Sequence, residues 1–154
     1  MNILFVCTGN LNRSPMAAAL LHKFLSRAGR DDLSIRSAGT HAFEGSPAPA
    51  NAIEVANQAG IDLSPHMTQP ISRELVDWAD RIVVMSPEHI DFIEVNFPDA
   101  LDKIEEMASF RVGARPGDSV KDPNGLSPFH YRQYFGELME AVQGYFSSLQ
   151  NIRS

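Results

Sequence analysis

The sequence predicts an α/β fold with three α/β/α layers, in which a parallel β-sheet is covered by helices on both sides. Residues 2–6 and 82–85 are almost continuously apolar runs of strand length, a pattern typical of parallel strands buried on both faces. Segments with helical periodicity alternate with the predicted strands along the chain. A loop rich in polar groups directly follows the first strand, at the end of the sheet where open α/β folds bind ligands.

The first half of the chain is predicted to contain two strands and three helices. After the first strand, Ser14 is a favourable N-cap and Pro15 a favourable first residue of a helix that Gly29 can end. A half-exposed strand and two further helices follow at residues 33–37, 49–58 and 72–78.

The second half continues the alternation of strands and helices. Residues 82–85 form the third predicted strand, and Ser86-Pro87 repeats the cap-and-start pair for a helix that runs to about residue 96. A fourth strand is expected at residues 103–108, and Ser127-Pro128 opens a long helix to about residue 149. The apolar stripe of this last helix is spaced for core packing and consists of Phe135, Leu138, Val142, Tyr145 and Leu149.

Size and composition indicate one ordinary globular unit. The 154 residues suffice for one core and contain no linker or repeat, so we predict a single domain over residues 1–154. No apolar run approaches the roughly twenty residues that span a bilayer, so we expect no membrane partner. A net charge of −6 argues against a nucleic-acid partner, because phosphate backbones bind basic surfaces. A strand at the very start leaves no room for a signal peptide, and with one cysteine we expect a cytoplasmic location.

The loop between the first strand and helix has the composition of an anion site built around a nucleophile. Main-chain N–H groups of such a loop point inward at a helix N-terminus, which favours bound anions and the thiolate form of Cys7. The planar guanidinium of Arg13 matches two oxygens of a phosphate, and the Ser14 hydroxyl can donate to the sulfur. The residues between the two ends are Thr8, Gly9, Asn10, Leu11 and Asn12.

A structural role for Cys7 is the alternative. A lone cysteine after an apolar strand is often a buried core residue, and an arginine six positions later is by itself a weak motif. The strand, the Gly-Asn turn, the Ser cap and the Pro start occur together here, and this combination favours the nucleophile.

A proton donor is needed if the thiolate expels an oxygen leaving group from phosphorus. Asp122 is the best candidate, because Pro123 restricts it to an extended conformation within a turn-rich loop. An ordinary Asp-Pro turn is the alternative, and Asp118 is the second choice of acid.

We expect neither a metal nor a cofactor. The five histidines show no i, i+4 pairing, and the single cysteine leaves no zinc-type cluster. On the sequence alone, His66 could be a ligand, a base or a packed core residue.

The segment from Val6 to Ala17 resembles the phosphate loop of low-molecular-weight protein tyrosine phosphatases. The resemblance continues, in the family's order, through residues 37–40, 60–66, 80–85 and 121–123. It implies a flavodoxin-like sheet in the order 2-1-3-4. It also implies that Cys7 is the nucleophile, Arg13 the phosphate clamp and Asp122 the general acid. The hydrogen-bond network that holds the loop would consist of Asn10, Ser14, Ser37 and His66.

Two departures from the family pattern affect redox behaviour and the substrate pocket. Asn12 stands where many members carry a second cysteine that can trap an oxidised nucleophile as a disulfide. Asn124-Gly125 stands where members commonly carry tyrosines beside the substrate ring. Phe43 matches the aromatic rim position and could supply the opposite wall, while Leu11 would line the pocket floor.

The predicted function is therefore a metal-independent phosphomonoesterase, a protein tyrosine phosphatase that forms a phosphocysteine intermediate. Its partners would be a phosphorylated protein or small aryl phosphate, and inorganic phosphate or another oxyanion. Alternatives of the same architecture are a protein-arginine phosphatase, in which threonine is favoured at position 11, and an arsenate reductase that uses an external thiol. A phosphate-binding regulatory module without turnover is the alternative from another class.

Overall fold

Four parallel strands form one sheet in the computed structural model, which describes residues 1–152. Within those residues the strand order is β2-β1-β3-β4, which confirms the parallel sheet and the order that the resemblance implies. The strands are β1 at Asn2–Cys7, β2 at Ser34–Gly39, β3 at Arg81–Val84 and β4 at Ile104–Glu106. The predicted domain also includes residues 153 and 154, which lie outside the described residues.

Five α-helices connect and cover the strands within the described range. They are α1 at Arg13–Arg27, α2 at Ala50–Gln58, α3 at Arg73–Trp78, α4 at Pro87–Asn96 and α5 at Pro128–Leu149. None of the helices within residues 1–152 is both long and apolar enough to cross a membrane.

The alternation of side chains along β1 builds two cores, one on each face of the sheet. Ile3, Phe5 and Cys7 belong to the core formed with α1, α2 and α5. Leu4 and Val6 belong to the core formed with α3 and α4. Because successive residues of a strand point to opposite faces, Cys7 ends β1 on the side from which α1 departs. The fold thereby brings the thiol to the N-terminal end of α1.

Several predicted boundaries differ from the structure by one or two residues, and two of the differences have identifiable reasons. Asn12, not Ser14, is the N-cap of α1, and Ser14 lies inside the first turn because its hydroxyl bonds to Asn10 and Cys7. The fourth strand ends at Glu106 and not at residue 108. Its pairing partner β3 ends at Val84, which pairs with Glu106, so no ladder partner remains beyond that point.

Candidate active site

The loop between β1 and α1 encloses a cavity of about 160 Å³. Its lining consists of Cys7, Thr8, Gly9, Leu11, Asn12, Arg13, Asp122 and Asn124. Cys7 ends β1, Arg13 begins α1 and four of the other residues lie in the loop between them, whereas Asp122 and Asn124 come from the segment that precedes α5. The predicted nucleophile, clamp and acid therefore meet at one cavity beside a helix N-terminus.

Asn10 holds the loop in shape through three hydrogen bonds of its side chain. It is fully buried and adopts a left-handed backbone conformation with φ of 56°. Its Nδ2 donates to Ser14 Oγ at 2.8 Å and to Ser37 Oγ at 3.0 Å, while its Oδ1 accepts from the Gln69 main-chain N–H at 2.9 Å. A short polar side chain that tolerates this conformation is needed to turn the loop and cross-link it to β2.

Ser14 connects this hydrogen-bond network to the nucleophile. Its Oγ lies 3.0 Å from the Cys7 Sγ and 3.4 Å from the Ala38 carbonyl oxygen. Because the Ser14 oxygen already accepts from Asn10, its own hydrogen is available to donate to the nearer acceptor, the sulfur. A hydroxyl donor at this distance stabilises negative charge on sulfur, and the sulfur is buried.

His66 supports the loop without lining the cavity. Its Nε2 lies 2.7 Å from the Asn10 carbonyl oxygen, so this nitrogen carries the proton and donates. Burial lowers the pKa of His66, and the hydrogen bond to Asn10 opposes that effect. This contact ties His66 to the loop and occupies one of its ring nitrogens.

Arg13 is anchored on two segments that are distant in sequence. Its Nη1 donates to Ser86 Oγ at 3.0 Å and to the Val120 carbonyl oxygen at 3.1 Å. Its Nη2 donates to Thr8 Oγ1 at 3.4 Å. The side chain is only 5% exposed, so the guanidinium is fixed in the cavity wall with few rotamers to lose when an anion binds.

Asp122 lines the cavity and lies in a solvent-accessible loop. One of its oxygens accepts from the Asn124 main-chain N–H at 3.1 Å, and the other lies 3.8 Å from Arg13 Nη2. Its side chain is 48% exposed, so it can exchange protons with water. Asp118, the second choice of acid, instead accepts from the Arg115 main-chain N–H at 2.9 Å and is absent from the cavity lining.

The rim residues fall into two groups. Leu11 and Asn124 line the cavity, whereas Phe43 does not and is 84% exposed. The Phe43 main chain is tied to the neighbouring loop, because its carbonyl oxygen accepts from the Thr68 hydroxyl. The described structure thus provides an apolar floor at Leu11 and leaves the Phe43 ring free of the cavity wall.

Several supporting residues were not predicted as part of the site. Ser86 and His89 form a capping box at the start of α4, and the same two side chains contact Arg13 and Thr8. Tyr134 was assigned to no functional role, yet its hydroxyl donates to the Asn12 carbonyl oxygen at 3.0 Å. The Ser86-Pro87 pair signals the helix start in the sequence, but no local pattern links it to a loop near residue 13.

The site carries no cluster suited to a metal ion. Among residues 1–152, no group of three or more His, Cys, Asp or Glu side chains is placed to hold one. The positive charge that faces the cavity comes from Arg13 and the N-terminal end of α1.

Comparison with known proteins identifies the family. A sequence model described as "Low molecular weight phosphotyrosine protein phosphatase" matches residues 2–154. The chain belongs to this family. The resemblance proposed from the loop motifs is therefore confirmed, and cysteine-based phosphatase chemistry follows from membership.

Relatives within the low-molecular-weight phosphatase family carry two different activity names. A protein-arginine-phosphatase of Geobacillus stearothermophilus is 39% identical over 96% of this chain and 95% of its own length. A low molecular weight protein-tyrosine-phosphatase Ptp of Acinetobacter johnsonii is 35% identical over 92% of this chain and 90% of its own. The solved structure of a YwlE arginine phosphatase, a C7S mutant with a phosphorylated active site serine, has a TM-score of 0.92 at 33% identity and covers 99% of this chain and 98% of its own.

Proposed function

We propose that this phosphatase hydrolyses phosphotyrosine in proteins through a phosphocysteine intermediate and without a metal ion. The observation that carries the proposal is that the Cys7 sulfur, the Arg13 guanidinium and the Asp122 carboxyl group border the same cavity of about 160 Å³. Nucleophile, charge clamp and proton donor are the three parts that such a reaction needs.

In the first step the Cys7 thiolate attacks phosphorus, an S–P bond forms and the bond from phosphorus to the leaving oxygen breaks. Asp122 delivers a proton to that oxygen, so that tyrosine leaves as a neutral phenol. Arg13 donates two hydrogen bonds to the phosphoryl oxygens and offsets the charge on them as the transition state forms. Ser14 donates to the sulfur and so stabilises the negative charge that the attacking sulfur carries.

In the second step water hydrolyses the phosphocysteine. Asp122, now a carboxylate, accepts a proton from the attacking water, the S–P bond breaks and inorganic phosphate leaves. The sulfur departs as a thiolate that Ser14 again stabilises. Since the reaction needs Cys7 reduced and this is the only cysteine, a reducing compartment such as the cytoplasm is the location that we propose.

The tyrosine preference is supported by Leu11, the apolar side chain among the lining residues. The aryl ring of a bound substrate that extends out of the cavity beside Leu11 would bury apolar surface against this side chain. A guanidinium in the same place would lose hydrogen bonds to water. The family description, which names phosphotyrosine, supports the same substrate.

Phosphoarginine is the second candidate, and Asn12 favours it. The Oδ1 of Asn12 is buried, lies in a residue that lines the cavity and has no hydrogen-bond partner among the described residues. Because this oxygen is inaccessible to solvent, the Asn12 amide would have to rotate before it could accept from a leaving group that carries N–H donors, as a guanidinium does. The protein-arginine-phosphatase relative supports this candidate as well.

The test is a comparison of kcat/KM for two peptides that differ only in phosphotyrosine or phosphoarginine. We expect the wild-type chain to prefer phosphotyrosine, the Leu11→Thr variant to shift the ratio toward phosphoarginine, and the Cys7→Ser variant to release no phosphate from either peptide. A wild-type preference for phosphoarginine would establish the second candidate. Phosphate binding without any product from either peptide would contradict both and establish a binding module.

A further inference from the structure

His89 donates a hydrogen bond to Thr8, the residue that follows the nucleophile. The Nδ1 atom of His89 accepts from the Ser86 main-chain N–H at 3.1 Å, and a main-chain N–H can only donate. The proton of the neutral ring is therefore on Nε2, which lies 2.9 Å from Thr8 Oγ1. Burial lowers the pKa of His89 to about 4, with a smaller contribution from Arg13, so the ring keeps this neutral form at physiological pH.

The Thr8 hydroxyl accepts a second hydrogen bond from the catalytic arginine. Arg13 Nη2 lies 3.4 Å from the same Thr8 oxygen. With both lone pairs occupied, the hydroxyl hydrogen is left to donate. Among the described residues no acceptor for it is found, and Thr8 lines the cavity.

We propose that Thr8 is a further substrate-binding residue, whose hydroxyl donates a hydrogen bond to a phosphoryl oxygen of the bound substrate. His89 is the positioning residue, because its donation to the Thr8 oxygen turns the hydroxyl hydrogen away from α4 and toward the cavity. Ser86 fixes the tautomer of His89 and also holds Arg13, so one short segment orients two donors toward the same anion. This inference rests on the proposed function and adds one residue to its phosphate site.

Two variants distinguish the contribution of the Thr8 hydroxyl from that of the shape of its side chain. Thr8→Val keeps the branched side chain and removes the donor, whereas Thr8→Ser keeps the donor and removes a methyl group.

A third variant tests the positioning residue. His89→Gln keeps an acceptor for the Ser86 N–H, since glutamine is a usual third residue of a capping box, and it removes the ring N–H that donates to Thr8.

The test measures competitive inhibition by inorganic phosphate, with an aryl phosphate as the reporter substrate and the midpoint of urea unfolding as the check on folding. A hydrogen bond to a charged group contributes about 1.5–3 kcal/mol, so we expect Thr8→Val to weaken phosphate binding by roughly ten to a hundredfold. Thr8→Ser should restore binding to about the wild-type value. His89→Gln should weaken binding in the wild-type background and have no effect in the Thr8→Val background.

Phosphate binding by Thr8→Val as tight as that of the wild type would overturn the proposal. An effect of His89→Gln that persists in the Thr8→Val background would also overturn it, since His89 would then act by another route. Should Thr8→Val fail to fold, the smaller Thr8→Ala variant removes the same donor. Wild-type turnover of the aryl phosphate tests the proposed function separately, because its absence would refute that function whatever the Thr8 variants do.

Discussion

The Asp122 carboxylate lies 3.8 Å from the guanidinium of Arg13, and both groups line the cavity that Cys7 borders. Arg13 is nearly buried and bound on two sides, whereas Asp122 is half exposed. Surface ion pairs of this kind contribute little to stability. The pair is therefore better explained by function, as a fixed anion clamp beside an acid that remains in contact with water.

Removal of the acid should affect substrates according to their leaving groups. We expect Asp122→Ala to lower kcat for phenyl phosphate by about a hundred to ten thousandfold, because phenoxide then leaves unprotonated. The loss for a dinitrophenyl phosphate should be much smaller, since that leaving group needs no proton. Asp118→Ala is the matched control, as Asp118 is not part of the cavity lining, and its steady-state kinetics should equal those of the wild type. Equal losses for both substrates would contradict the acid role.

The close approach of β2 to the phosphate loop depends on Gly39. A Cβ atom on Gly39 would lie 2.5 Å from the Thr8 carbonyl oxygen and 2.9 Å from the Asn10 main-chain nitrogen. We expect Gly39→Ala to displace the loop, to destabilise the protein by about 1–3 kcal/mol and to lower kcat/KM.

Gly136 offers the control for that substitution. It lies within α5, and a Cβ atom there would meet nothing within 4 Å. Gly136→Ala should therefore stabilise the protein by about 0.5–1 kcal/mol and leave kcat/KM unchanged. Urea unfolding and steady-state kinetics of the two variants check the pair, and a Gly39→Ala variant with wild-type stability and activity would refute the role of Gly39.

His89 should make stability depend on pH in the acid range. Its pKa is lowered to about 4 by burial, Arg13 and His41, while in the unfolded chain it is about 6.5. The unfolded state therefore binds the proton more tightly, so the contribution of His89 is fully present above pH 6.5 and is lost as the pH falls toward 4. The loss amounts to about 3 kcal/mol.

The His89→Gln variant isolates this contribution from that of the carboxylates, which titrate in both proteins. The free energy of unfolding of the wild type, minus that of His89→Gln, should decrease by about 3 kcal/mol between pH 7.5 and 4. Chemical denaturation at a series of pH values measures this difference. A difference that is constant over the range would show that His89 keeps an ordinary pKa in the folded protein.

Oxidation of Cys7 should be reversed only by a thiol from outside the chain. Cys7 is the single cysteine, and Asn12 occupies the position of the second cysteine found in many family members. After brief peroxide treatment and its removal, we expect activity to return with an added dithiol and not in its absence. Asn12→Cys should instead form a disulfide with Cys7, detected by mass spectrometry, and should resist overoxidation during prolonged exposure. Full recovery of the wild type without a thiol would contradict this prediction.

Local patterns predicted the part of the site that is local in sequence. The strand at Asn2–Cys7, the loop and the helix start at Arg13 follow one another, so apolar runs, capping residues and Pro15 were sufficient to place Cys7 at a helix N-terminus. The start of α1 was predicted two residues late, since Ser14 has the chemistry of a cap but its hydroxyl contacts the sulfur.

The parts of the site that the sequence did not predict are contacts between segments that lie far apart along the chain. Thr8 and His89 are 81 positions apart, and Tyr134 reaches Asn12 across 122 positions. The Ser86-Pro87 pattern explained Ser86 as a cap, and this role is present beside its contact to Arg13. No pattern singled out Tyr134, which lies outside the predicted apolar stripe of the last helix and is buried. A single sequence holds no signal for a second use of the same side chain, because that use depends on the register and packing of the folded layers.

The central claim is that Cys7 carries the phosphoryl group during turnover. The most direct test is rapid acid quenching of the Asp122→Ala variant during hydrolysis of dinitrophenyl phosphate, followed by peptide mass spectrometry. Without the base that activates water, the intermediate should accumulate, and one phosphoryl group should be found on the peptide that contains Cys7. Turnover with an unmodified Cys7 peptide, or with the phosphoryl group on another residue, would contradict the account.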